Sequence, residues 1–287
     1  SPARERLCVT HPDLIAEVAR TVRAKLRENP TLDAASISPN DGGLNSFCMC
    51  ERCRRMDPPA APRVDIRYQV EGRQRYVSYP SLSDRYAAFY SKVAELVAAE
   101  FPDRMVGAYA YSVYRTPPLY VKVHPNVFVG FVGLTYVNDT ALERDRQSWN
   151  GWAASVEKLL LRPNLFHAGG GLPLIYARKM AADIRHCYET GMIAADFDSV
   201  IHHWATQGLN YYLLARLLWD PSQDVEAIIE DYCRAGFGEA APSVRAYYAR
   251  LEALTDELAR TIGEAARGLK EEELREEEED DAAQAAR

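Results

Sequence analysis

The hydrophobic positions of this chain fall into two alternating rhythms. After His11-Pro12-Asp13, the residues Leu14, Ile15, Val18, Val22 and Leu26 recur at helical spacing, and Asn29-Pro30 stops the pattern. Pro12 suits a first helical turn and Asp13 suits the positive end of the helix. A short strand is predicted over 34–38, running into the turn Pro39-Asn40-Asp41-Gly42-Gly43. Residues 64–79 alternate about Glu71-Gly72-Arg73, as a hairpin does. Ser83-Asp84 opens a second helix whose apolar positions include Tyr86, Phe89, Val93, Leu96 and Val97, and Phe101-Pro102 closes it. Strands are then predicted over 105–112, 127–132, 160–166 and 193–200, with helices over 149–159 and 174–189 and Gly191 as a C-cap. The run 127–132 is apolar without a break, which suits a strand of a parallel sheet buried on both faces. From 209 onward the pattern is helical throughout, over 209–219, 225–237 and 243 to about 269.

Short apolar strands alternating with helices predict parallel βαβ units, hence an α/β fold. A closed barrel and an open doubly wound sheet share that rhythm. The position of the polar residues favours a (β/α)8 TIM-type barrel. Asn40-Asp41, Tyr111 with Tyr114, His167, and Asp198 with His202-His203-Trp204 each follow a predicted strand directly. Barrel sites are assembled from loops at the C-terminal ends of several strands. The Gly-x-Gly-x-x-Gly turn of a dinucleotide fold is not met by Gly169-Gly170-Gly171. The predicted organisation is a barrel portion over 1–208, with a Cys-rich loop at 42–62 and an inserted hairpin at 63–80. A helical segment packing on the barrel follows over 209–270, then an acidic tail over 271–287.

Charge changes this picture little. The formal net charge is −7, but residues 271–281 carry nine acidic side chains and one basic one, so the remainder lies near neutrality. That run fits a solvated helix end or a disordered tail. No basic stripe points to nucleic acid, and no apolar stretch reaches the ~18 residues of a membrane span. Tyrosine is abundant, with 17 copies; it suits core packing and polar ligands alike.

The candidate chemistry lies in the strand-end clusters. Asp41 sits in a Gly-flanked turn, as a reacting carboxylate or as an Asx turn capping its own backbone. Asp198 ends the last strand, either as a second carboxylate or as a helix N-cap, and Asp196 shares its face if the strand runs that far. Two carboxylates from different strands facing one cavity is what glycosidic cleavage needs. Asn40, Tyr111, Tyr114, Tyr136, His167, His203, Trp204 and Asn210 are the candidate substrate contacts, because sugars offer apolar C–H faces to rings and hydroxyls to polar tips. A catalytic metal on His167, His202 and His203 is a weaker reading, since their spacing fits no standard motif. No cofactor is expected. Cys48, Cys50 and Cys53, with Cys8 as a fourth thiol, fit either a structural zinc site or disulfides stapling the long loop. Cys187 and Cys233 fit isolated buried thiols.

Several motifs in order resemble a known family. Ile37-Ser-Pro-Asn-Asp-Gly42, Phe47-Cys-Met-Cys-Glu-Arg-Cys53, Ser83-Asp-Arg-Tyr86, Arg162-Pro-Asn-Leu-Phe-His-Ala-Gly169 and Gly208-Leu-Asn-Tyr-Tyr-Leu-Leu-Ala-Arg-Leu-Leu-Trp-Asp-Pro221 resemble the domain of unknown function 4838 over roughly 7–254. The resemblance implies a barrel related to glycoside hydrolase family 163, whose members look like endo-β-N-acetylglucosaminidases acting on N-glycans. It also implies an exported bacterial protein and an oligosaccharide or glycan as partner. On that implication the chain carries about the last five βα units and the helices after them, with the earlier strands upstream of Ser1. The substrate 2-acetamido group would then assist a carboxylate pair. One departure stands out: the family pattern Phe-Glu-Gly is met here by Phe197-Asp198-Ser199. The alternative expectation is therefore a catalytically inactive carbohydrate-binding barrel.

Overall fold

The computed structural model describes residues 6–40, 47–70, 73–165, 171–198 and 203–285. Helix α1 (Pro12–Glu28) begins as its sequence predicts. The His11 ring accepts the Asp13 N–H at 3.2 Å, proline occupies the first turn, and Ala19, Val22 and Leu26 form the buried stripe. Strand β1 (Ala34–Ser36) follows, then a single short helix, α2 (Glu51–Arg55). Strands β2 (Arg63–Val70) and β3 (Arg73–Pro80) pair antiparallel as a separate hairpin. Helix α3 (Ser83–Ala98) comes next and leads into β4 (Met105–Ala110) and β5 (Val127–Phe131). The remaining elements are α4 (Asp139–Ala153), β6 (Leu159–Leu161), α5 (Ala177–Glu189), β7 (Met192–Ala195), α6 (Trp204–Trp219), α7 (Val225–Phe237) and α8 (Ala241–Ala285).

The fold is mixed α/β with a five-stranded parallel sheet in the order β1-β4-β5-β6-β7, and no sheet closes among the described residues. The two faces of this sheet differ. Ala35, Val106, Ala108, Ala110, Val127, Val129, Phe131, Leu159 and Leu161 are all buried on one face. Trp149 of α4 meets Phe131 edge to face at 5.8 Å, and Val93 and Val97 of α3 are buried as well. The opposite face carries Ser36, Gly107, Tyr109, Phe128, Gly130 and Leu160. Its aromatic rings lie flat across neighbouring glycines. A Cβ on Gly107 would stand 2.3 Å from the Phe128 ring, and one on Gly130 would stand 2.9 Å from Tyr109. Tyr109, Phe128 and Leu160 remain only half-buried.

Several boundaries differ from the sequence prediction. The helix expected over 149–159 occupies Asp139–Ala153 instead, and Leu159 belongs to β6. Its first turns are polar, and the buried side, Leu142, Asp145, Trp149 and Trp152, includes a carboxylate; its start is fixed by the Asn138 side chain, which accepts the Ala141 N–H at 2.9 Å. The strands stop earlier than their apolar runs, at Ala110, Leu161 and Ala195. Helix α6 begins at Trp204 and not at 209. Among the described residues no α-helix connects β4 to β5. Pro117, Pro118 and Pro125 interrupt that crossover, which forms one 3-10 turn at Ser112–Tyr114. Of the two states open to the acidic run, the backbone takes the helix, as the continuation of α8. Ala, Glu, Leu and Arg favour that state intrinsically.

The chain divides into two units. The first comprises Ser1–Val132, Ser148–Arg162 and Thr190–Asp196, and holds both sheets. The second comprises Gly133–Gln147, Pro163–Glu189 and Phe197–Arg287. In the second unit Arg178 of α5 pairs with Glu226 of α7 at 2.6 Å and with Glu252 of α8. Thr255 of α8 accepts the Ile175 N–H at 3.0 Å.

Candidate functional site

Within the first unit, the C-terminal end of the sheet gathers a cation, a ring and a carboxylate. Arg162 directly follows β6, and its N–H donates to the Phe131 carbonyl at 2.9 Å. Its guanidinium carbon lies 4.9 Å from the Tyr109 ring centroid, and its Nε lies 3.7 Å from Asp196 Oδ2. The Asp196 N–H donates to the Leu161 carbonyl at 2.9 Å, which fixes the carboxylate beside the arginine. Arg162 is largely enclosed (18%) while Asp196 stays open to solvent (66%). The trio offers donors, an acceptor and an apolar ring plane in one place, which is the set a polyhydroxylated ligand needs.

A second feature lies at the end of β1. A cavity of about 410 Å³ is bounded by Leu14, Val18 and Phe89 and by the strand-end residues Ser38 and Asn40, with Arg6 at its wall. Arg6 is 8% exposed, stacks over Phe47 at 4.3 Å and donates to the Tyr114 hydroxyl at 3.5 Å. Among the described residues its Nε and the Ser38 hydroxyl are buried without a hydrogen-bond partner. Groups of this kind cost about 1–3 kcal/mol each when left unmet in the interior. Tyr114 packs away from the opening, stacked on Tyr86 at 4.3 Å, and burial pushes its phenol up to about 12. Tyr111 is half-buried at the end of β4, and Asn40 is exposed. Asp41 follows Asn40 in the chain and lies outside the described residues, as do His167 and His202.

In the second unit, Asp198 is half-buried past β7. His203 precedes α6 with φ 62°, and its ring faces Gly171, itself at φ +92°. Trp204 is 63% exposed and leans on Tyr211 at 5.4 Å. Tyr136 is buried and stacks on Tyr176 at 4.9 Å. Asn210 is fully buried and satisfied: its carbonyl accepts the Tyr176 N–H at 3.3 Å and its amide donates to the Leu174 carbonyl at 2.8 Å. Asn210 and Tyr136 therefore brace the segment before α5 and are not presented to a ligand.

Strain is concentrated after the strands. Among the described residues three non-glycine positions have positive φ: Ser112 after β4, Leu134 after β5, and His203 between β7 and α6. A bulky leucine is costly there and is held by its N–H donating to Asp145 at 2.8 Å. Such strain collects at functional loops.

The cysteines form a third cluster, in the first unit. The sulfurs of Cys8, Cys48, Cys50 and Cys53 all lie within 4.8 Å of one another, and all four are free thiols. Cys187 and Cys233 are buried singly, and burial raises both thiols. Sequence periodicity missed the trio Tyr109, Arg162 and Asp196 as a unit. Its only local trace is Tyr109 standing between two small buried residues, Ala108 and Ala110.

No curated protein and no solved structure matches this chain. The family model described as domain of unknown function (DUF4838) matches residues 1–249. With its strand-end motifs and clustered cysteines inside that span, the chain belongs to the DUF4838 family.

Proposed function

We propose that this chain forms the later part of a glycoside hydrolase barrel that cleaves N-acetylglucosamine-containing glycans. The observation that carries this reading is the asymmetry of the parallel sheet. One face is fully buried and wholly apolar, built of Ala, Val and Leu with Phe131; the other is half-open and carries Tyr109, Phe128, Arg162 and Asp196. A doubly wound sheet reverses its strand order at a switch point and is covered on both faces. Here the strand order never reverses, which fits an arc of a (β/α)8 barrel.

In this reading the chemistry belongs to carboxylates at the strand ends. Asp41 and Asp198 are each a candidate for protonating the leaving oxygen or for orienting the 2-acetamido group as it attacks the anomeric carbon. Arg162 and Asp196 hydrogen-bond sugar hydroxyls, and Tyr109 supplies a ring plane. The test uses the full-length protein and N-glycans labelled at the reducing end. Asp41→Asn and Asp198→Asn are each expected to lower kcat by roughly 10²–10⁴-fold. Undiminished turnover by Asp41→Asn sinks the assignment. The second reading, a glycan-binding barrel without turnover, is favoured by the shorter carboxylate at Asp198, where the family pattern has Glu. Calorimetric binding of the same glycans by a wild-type protein that releases no product selects it.

A further inference from the structure

We propose that Cys8, Cys48, Cys50 and Cys53 bind one zinc ion as four thiolates, clamping the segment before α1 onto the loop after β1. The sulfur spacing is the first ground. In a tetrahedron with Zn–S bonds of 2.3 Å, the sulfurs stand about 3.8 Å apart. Cys8 lies 3.8 Å from Cys50 and 3.6 Å from Cys53, and no pair among the four exceeds 4.8 Å. Two disulfides would instead need bonded pairs near 2.05 Å.

The surroundings fit a thiolate cage. The Thr10 hydroxyl lies 3.1 Å from the Cys53 sulfur and 3.4 Å from that of Cys8. Arg85 is 1% exposed and donates to the Cys48 carbonyl at 2.7 Å while its Nε bonds Asp57 at 3.0 Å. These contacts hold the ligand loop in shape and set a buried cation beside an anionic centre. Zinc has no redox chemistry and takes all four positions, so this ion is structural and leaves none for substrate.

The clamp also has an address. Cys8 lies two residues after Arg6 and Cys48 directly follows Phe47; Arg6 stacks on Phe47 and lines the β1-end cavity. Binding zinc displaces the thiol protons to solvent and fixes two segments far apart in sequence, so metal and loop order are linked.

Elemental analysis of the purified full chain tests this. One zinc per chain is expected, falling at least tenfold in Cys50→Ser, whose side chain is the exposed one, and unchanged in Cys187→Ser and Cys233→Ser. A mercurial titration of the wild type needs no variant to fold: zinc should leave in step with four thiols. Cobalt exchanged into the protein should give the intense visible bands of a tetrahedral thiolate site, and Thr10→Val should weaken metal binding about 10–100-fold. A metal-free chain overturns the proposal, whether its cysteines are reduced or oxidised to disulfides. So does iron in place of zinc.

Discussion

Asp84 replaces an element with a single carboxylate. It is 4% exposed and accepts the N–H groups of Leu119, Tyr120 and Val121 at 2.9, 2.7 and 3.0 Å. Those donors belong to the crossover from β4 to β5, where prolines prevent a helix and the backbone must find partners elsewhere. The Ser81 and Ser83 hydroxyls secure the same segment through Thr116, and Trp152 Nε1 donates to the Arg115 carbonyl at 2.7 Å. Replacing Asp84 with alanine leaves three N–H groups without their acceptor, so urea unfolding should register a loss of about 3–5 kcal/mol. A loss below 1 kcal/mol would show that water replaces the carboxylate. The sequence marks Asp84 only as a helix start. Its actual partners lie more than thirty residues away, and no local rule reaches them.

At the scale of elements, the parallel sheet depends on which side each residue takes. Leu161 is 1% exposed on the helix-covered face, while its neighbour Leu160 is half-buried on the other. Leu161→Ala is expected to cost about 3 kcal/mol, and Leu160→Ala clearly less, in parallel chemical-denaturation curves. Equal losses would mean that both faces are packed alike, and the asymmetry argument for a barrel arc would fail with them. Helix α7 was legible in the sequence because its apolar positions recur at helical spacing over its whole length, and the hairpin of β2 and β3 from a weaker alternation about Glu71-Gly72-Arg73. Helix α4 was not, because its first half is polar and its start rests on one capping side chain. The strand ends were over-extended because buried apolar residues such as Val132 and Leu165 lie in the loops beyond the strands.

For the whole molecule, negative charge is concentrated at one end of the chain. The last buried residue described in α8 is Gly263, where Thr140 approaches an added Cβ to 2.9 Å; the acidic run begins eight residues later. Deleting residues 271–287 should therefore move the isoelectric point upward and change unfolding free energy by less than about 0.5 kcal/mol. A larger drop in a thermal melt would reveal that the run packs on something.

The sequence by itself determined the alternation of strands and helices, the family, and the set of side chains available at the strand ends, because each of these is written in local spacing and composition. The tertiary structure alone decided the rest. It brought Cys8 to Cys53, Arg6 to Phe47, and Arg162 to Tyr109 and Asp196. Each of these meetings joins residues tens of positions apart, and only the pairing of strands and the docking of helices fixes which of them come within bonding distance.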